Sequence, residues 1–168
     1  LDPQIPVQEN ATKYFDKYGK LKRTFEAVTA LLKETDEEIQ HLRSIQTALD
    51  IALQEEDLTQ IREELMESGY IRKRPSGSKR PKITSKPFHY ISSDGFHMYV
   101  GKNNYQNDML TFKTATGNDW WFHVKQAPGS HVIVQCNNEE PPIRTFEEAA
   151  SLAAHFSQKA SSDKVEID

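Results

Sequence analysis

The sequence predicts an α+β protein, with a long α-helical coiled-coil arm followed by a small α+β domain. Three observations carry this. Residues 8–54 contain no proline and a single glycine, Gly19, and they repeat an apolar heptad. Residues 72–87 are crowded with Lys, Arg and Pro and hold no acidic side chain. Beyond Pro87 the helical period gives way to short apolar alternations bounded by turn residues. Only 36% of the 168 residues are apolar, which fits an arm with more surface than core. No apolar run reaches the ~18 residues of a membrane span, and no secretory signal opens the chain. The single cysteine, Cys136, excludes an internal disulfide framework and a multi-cysteine metal centre. A cytoplasmic protein without a membrane partner is expected, and a first residue other than Met suggests an excised piece.

In the arm, Ala11, Tyr14, Tyr18, Leu21, Phe25, Val28, Leu32, Thr35, Ile39, Leu42, Gln46, Leu49 and Leu53 alternate at steps of three and four. This is an unbroken seam, and 47 helical residues make a rod of about 70 Å. Tyr14, Phe15 and Tyr18 widen the stripe at its start. A second helix is expected over Leu58–Glu67, with Leu58, Ile61, Leu65 and Met66 on one side, covering roughly 15 Å of the rod. The rest of the seam calls for an upstream helix outside this chain, or for self-association. Gly69 suits a left-handed C-cap that stops the second helix.

Charge divides the chain. Residues 1–69 hold 8 basic and 15 acidic side chains, and residues 70–168 hold 13 and 10. The boundaries read from this are an arm over 1–69, a basic linker over 70–87 and a domain over 88–168. In the linker, Lys79, Arg80, Lys82 and Lys86 read either as a solvated tether or as phosphate contacts.

In the domain, Phe88–Ser92 and Phe96–Lys102 predict a hairpin across Ser93-Asp94-Gly95. Asn104–Thr114 is ambiguous, with Tyr105, Met109 and Phe112 at helical spacing. Trp120–Lys125 and His131–Cys136 read as strands, Thr145–Lys159 as an amphipathic helix, and Lys164–Ile167 as the start of a further strand. The domain is therefore read as C-terminally truncated.

The densest chemistry lies in Asp119-Trp-Trp-Phe-His-Val-Lys125 and Pro128-Gly-Ser-His131. Strand alternation sends Trp120, Phe122 and Val124 to one face and Trp121, His123 and Lys125 to the other. The second set can stack on a base and touch a phosphate. The competing reading packs Trp121 under the helix and makes His123 structural. Gly129 and Ser130 would admit a phosphate close to the main chain, with His131 beside them. A hydrolase built from Ser130, His131 and Asp119 is disfavoured, because sequence neighbours in a strand diverge and no nucleophile elbow occurs. A metal site from His123, His131 and His97 or Asp119 lacks a ligand-spacing motif. No Walker or dinucleotide fingerprint is present, so neither catalysis, a metal nor a cofactor is expected.

Several motifs together resemble the NFACT family of ribosome-associated quality-control factors. They are Asp2-Pro3, Glu9-Asn10-Ala11, Tyr14-Phe15, Tyr18, Lys20-Leu21-Lys22, Glu63-Glu64-Leu65 and Gly69-Tyr70 in the arm. In the domain they are Gly101-Lys102-Asn103, Gln106-Asn107-Asp108, Leu110-Thr111, Asp119-x-Trp121-Phe122-His123-Val124 and Pro128-Gly129-Ser130-His131. The resemblance implies that residues 1–69 are the returning half of a coiled-coil arm and that 88–168 are an NFACT-R-like RNA-binding domain. It adds Lys102, Asn103 and Asn107 to the RNA contacts. It further implies binding to stalled large ribosomal subunits that carry peptidyl-tRNA, hence rRNA and tRNA as partners, and support of tRNA recruitment for C-terminal tailing. The family's older name, fibronectin-binding protein A, raises a surface adhesin as the alternative, and a cryptic hydrolase is a remote one.

Overall fold

A computed structural model describes all residues except Ser76, Ser78 and Arg80. The chain divides into two units, Leu1–His41 and Leu42–Asp168. One proline-free helix, α1 (Val7–Ile51), runs through the division. Its start is fixed by Asn10, whose side chain accepts from Asp2 N (2.8 Å) and donates to Asp2 O (2.8 Å), folding the leading turn back on the helix. Within residues 1–41 this is a single helix, and Tyr18, Leu21, Phe25 and Leu32 on the predicted seam are 64%, 57%, 72% and 65% exposed. A coiled coil requires two helices, and residues 1–41 supply one.

In the second unit α1 ends at Ile51, and α2 follows over Glu55–Glu67. Asp57 Oδ2 accepts from the backbone of Leu53 and Gln54, 3.2 Å each, and so sets the turn between the helices. A small core forms from Ile45, Ala48 and Ile61 with Ala52, Leu65 and Tyr70. This corrects the expected seam. Leu49 and Leu53 remain exposed, and α2 packs on the adjacent stripe, where Ala48 and Ala52 are small enough to admit it. Leu58 is likewise exposed. At the end of α2, Tyr70 N bonds Leu65 O and Gly69 N bonds Met66 O, with Gly69 at φ +82°. That is a Schellman stop, and the positive φ explains the glycine.

The four-stranded sheet is antiparallel throughout, in the order β1 (Phe88–Ile91), β2 (His97–Val100), β4 (Val132–Gln135), β3 (Trp120–Phe122). The predicted hairpin forms, with Gly95 at φ +90° in its turn. Between β2 and β3, Asn103 caps a short helix, α3 (Asn104–Met109), that continues as a π-helical turn over Leu110–Thr114. This resolves the ambiguous segment.

One face of the sheet presents Met98, Val100, Val132 and Val134 to α4 (Ile143–His155), whose Ala149 and Ala153 are fully buried against it. Alanine at these positions lets the helix lie close. Thr145 Oγ1 donates to Asp94 Oδ2 (2.9 Å) and lies 3.0 Å from Ser92 Oγ, pinning the first turn of α4 to the hairpin. The helix starts at Ile143 rather than Thr145, with extended Pro142 before it accepting from Thr145 N through its carbonyl (2.9 Å). It stops before Lys159, because the Phe156 carbonyl turns to accept from Ser130 N. Beyond β3, His123 and Asp168 exchange backbone bonds and Lys125 N bonds Glu166 O, so the last residues extend the sheet.

Candidate nucleic-acid interface

Strand register builds the other face of the sheet row by row. His89, Tyr99, Ile133 and Trp121 fall in one line across all four strands. Trp121 is 38% exposed. Its ring lies 5.7 Å from His123, nearly parallel, and 5.2 Å from His131, edge-on. The expected alternation therefore holds. Phe122 joins the core under α4, Val124 is buried, and Trp120 lies edge-on to Phe146 of α4. Trp121 does not pack under the helix.

Burial sets the electrostatics of this cluster. Burial lowers the His123 pKa, and burial together with the neighbouring His123 pushes His131 down to about 4. Both imidazoles are neutral at pH 7, so the cluster offers ring faces and hydrogen bonds instead of charge. His131 Nδ1 is already engaged with Thr111 Oγ1 at 2.7 Å. Lys125 is exposed but has Asp168 Oδ1 3.4 Å from its Nζ.

Five predicted contacts require correction. Lys102 is buried, with Nζ 3.0 Å from Asp57 Oδ1 and 4.5 Å from the Phe88 ring centre. Asn103 is buried, capping α3 and donating to Gln60 Oε1 (2.9 Å). Asn107 is buried, donating to Gly129 O and accepting from His131 N (3.0 Å). Ser130 is 1% exposed, and its hydroxyl has no hydrogen-bond partner among the described residues. Gly129 turns its α-carbon inward, where an added Cβ would meet Val124 at 2.8 Å and Ser157 at 3.0 Å. The glycine is required for packing. These residues hold the interior together, and the motif signal reported that.

Ser130, His131 and Asp119 do not form a catalytic constellation. Asp119 accepts from Thr116 N (2.8 Å) and Cys136 N (2.9 Å), and His131 bonds Thr111. His97, weighed as a metal ligand with His123 and His131, lies instead against His89. Lys79, Lys82 and Lys86 are exposed, and Arg80 lies outside the described residues. Sequence reasoning missed the rings of the hairpin. Their signal was the alternation that puts His89 and Tyr99 on the face of Trp121.

The family model for NFACT N-terminal and middle domains matches residues 1–84, and that for the NFACT protein RNA binding domain matches residues 86–167. The chain belongs to the NFACT family. Among similar NFACT proteins is the Rqc2 homolog RqcH of Streptococcus pneumoniae, 43% identical over all of this chain and 30% of the relative. The Rqc2 homolog RqcH of Bacillus subtilis is 38% identical over all of this chain and 29% of the relative. The chain thus spans about a third of these relatives. The solved C-terminal structure of the fibronectin/fibrinogen-binding protein from Streptococcus suis is 42% identical, with a TM-score of 0.84 over 98% of this chain and 65% of that one. No described helix is long and apolar enough to cross a membrane.

Proposed function

We propose that this chain is the RNA- and ribosome-binding part of a ribosome-associated quality-control factor working in the cytoplasm. It binds stalled large ribosomal subunits carrying peptidyl-tRNA and supports tRNA recruitment for C-terminal tailing. It acts by binding and not by catalysis. One observation carries the reading. The segment matching the NFACT RNA binding domain presents a ring-bearing sheet face, begins at exposed Lys86 and is preceded by exposed Lys79 and Lys82. Aromatic faces and cations are the two elements that RNA recognition uses. The apolar stripe of residues 11–39 pairs with the upstream half of the coiled coil in the whole protein, or with a second copy of this chain.

The relatives described as RqcH favour this reading, whereas the solved neighbour described as fibronectin/fibrinogen-binding favours a surface adhesin. Purifying the full-length protein from lysate separates the two. Large-subunit rRNA in the eluate supports the first reading. Binding of fibronectin with no ribosomal RNA overturns it.

A further inference from the structure

The hairpin carries a group of rings that core packing does not use. His89 on β1 lies stacked on Tyr99 of β2 at 4.7 Å and 11°, and edge to edge with His97 of β2 at 5.0 Å and 19°, so that the two imidazoles make one nearly flat layer. His89 Nε2 and His97 Nδ1 are 2.7 Å apart, one ring donating to the other. The apolar core draws on Phe88, Tyr90, Met98 and Val100 from these strands, so the three rings stand on the opposite face. His89 is exposed, and His97 and Tyr99 are half-buried. Because β1 is an edge strand, the rings stand at the open side of the sheet. Exposed Lys86 lies three residues before His89, within about 10 Å along extended chain, and exposed Lys82 precedes it.

We infer that the flat His89–His97 layer, backed by Tyr99, is a stacking platform for unpaired bases of single-stranded RNA, with Lys82 and Lys86 holding the adjoining phosphates. The inference rests on the RNA-binding reading above and specifies which RNA and which residues. The chemistry selects the strand class. A base in a duplex already has both faces covered by its neighbours, whereas an unpaired base can extend a column of rings. Parallel rings at an open edge offer such an end. They do not offer the long basic surface that spans the grooves of A-form RNA. The neighbouring lysines supply sequence-independent attraction to the backbone.

The test is fluorescence anisotropy of the 168-residue chain with a short labelled oligouridylate, and with a duplex of the same length. The parent should prefer the single strand. His89→Ala combined with His97→Ala should weaken it by about tenfold or more, the scale of one lost base stack. His89→Phe with His97→Phe keeps the ring faces and should bind within a few-fold of the parent. Circular dichroism checks the fold of each. Independently of any substitution, the ring protons of His89 and His97 in the parent should shift as oligouridylate is titrated in. If the parent binds the single strand while the folded alanine pair binds equally well, or those ring protons stay put, the platform is wrong and the RNA-binding reading stands. A parent that prefers duplex also overturns the platform. A parent that binds neither RNA overturns both.

Discussion

Lys102 Nζ lies 3.0 Å from Asp57 Oδ1 and 3.3 Å from Oδ2, and both side chains are buried. This pair, with Ser85, Gln60 and Gln106 bonded around it, joins α2 to the segment that leads into α3. Burial opposes ionisation of Asp57, but hydrogen bonds from Ser85, Lys102 and Leu53 and the Lys102 charge hold its carboxyl below the ordinary value. Asp57→Ala strands the Lys102 charge and should cost about 3–5 kcal/mol in denaturant unfolding. The unfolded carboxyl takes up its proton first, near pH 4. The contribution is therefore complete at neutral pH and is lost as pH falls through the lowered folded value. Asp57→Ala should flatten that acid limb.

Two glycines, Gly101 and Gly19, make a contrast in opposite directions. A Cβ at Gly101 would overlap Asn107 Oδ1 and lie 2.9 Å from Asn107 N, a backbone atom that cannot give way. Gly101→Ala should destabilise by about 1–3 kcal/mol. At Gly19, within α1, nothing lies within 4 Å of the added atom. Gly19→Ala should stabilise the helix by roughly 0.5–1 kcal/mol. Thermal melts of the two variants should move in opposite directions.

His131, held near pKa 4, should make stability fall on acidification. Its unfolded value is about 6.5, so between roughly pH 6.5 and 4 the unfolded chain binds the additional proton. Stability drops across that window by ~1.4 kcal/mol per pH unit at most, and His131 adds no further change below it. His131→Gln should remove this part of the slope in unfolding experiments at stepped pH.

The stripe of Tyr18, Leu21, Phe25 and Leu32 should drive association of this chain when the upstream helix is missing. Sedimentation should show a mass that rises with concentration, and Phe25→Glu with Leu32→Glu should abolish the rise. A monomer at high micromolar concentration would contradict the paired-arm reading.

The elements were legible where one local signal sufficed. The proline-free heptad marked α1, Asp94-Gly95 the hairpin turn, and the alternation in Trp120–Lys125 the two faces of β3. What escaped was set by contacts distant in sequence. Lys102 reads as a surface cation until Asp57, 45 residues away, is found beneath it. Asn107 reads as an RNA contact, yet it stitches the start of β4 through Gly129 and His131. A motif in an RNA-binding family suggested contact with RNA, whereas buried polar side chains fully committed to one another serve the fold. The stripe used by α2 was missed for a related reason. The heptad pattern favours large residues, and the helix chose the small Ala48 and Ala52.

The central claim is that RNA is held through the basic segment entering the sheet. The direct measurement is the salt dependence of RNA affinity for the parent and for the Lys79→Ala, Lys82→Ala, Lys86→Ala triple variant. Each phosphate contact on a single strand contributes about 0.7 to the slope of log affinity against log salt. The triple variant should bind more weakly, with a slope shallower by roughly 2. The same affinity and the same slope in both proteins would contradict the account.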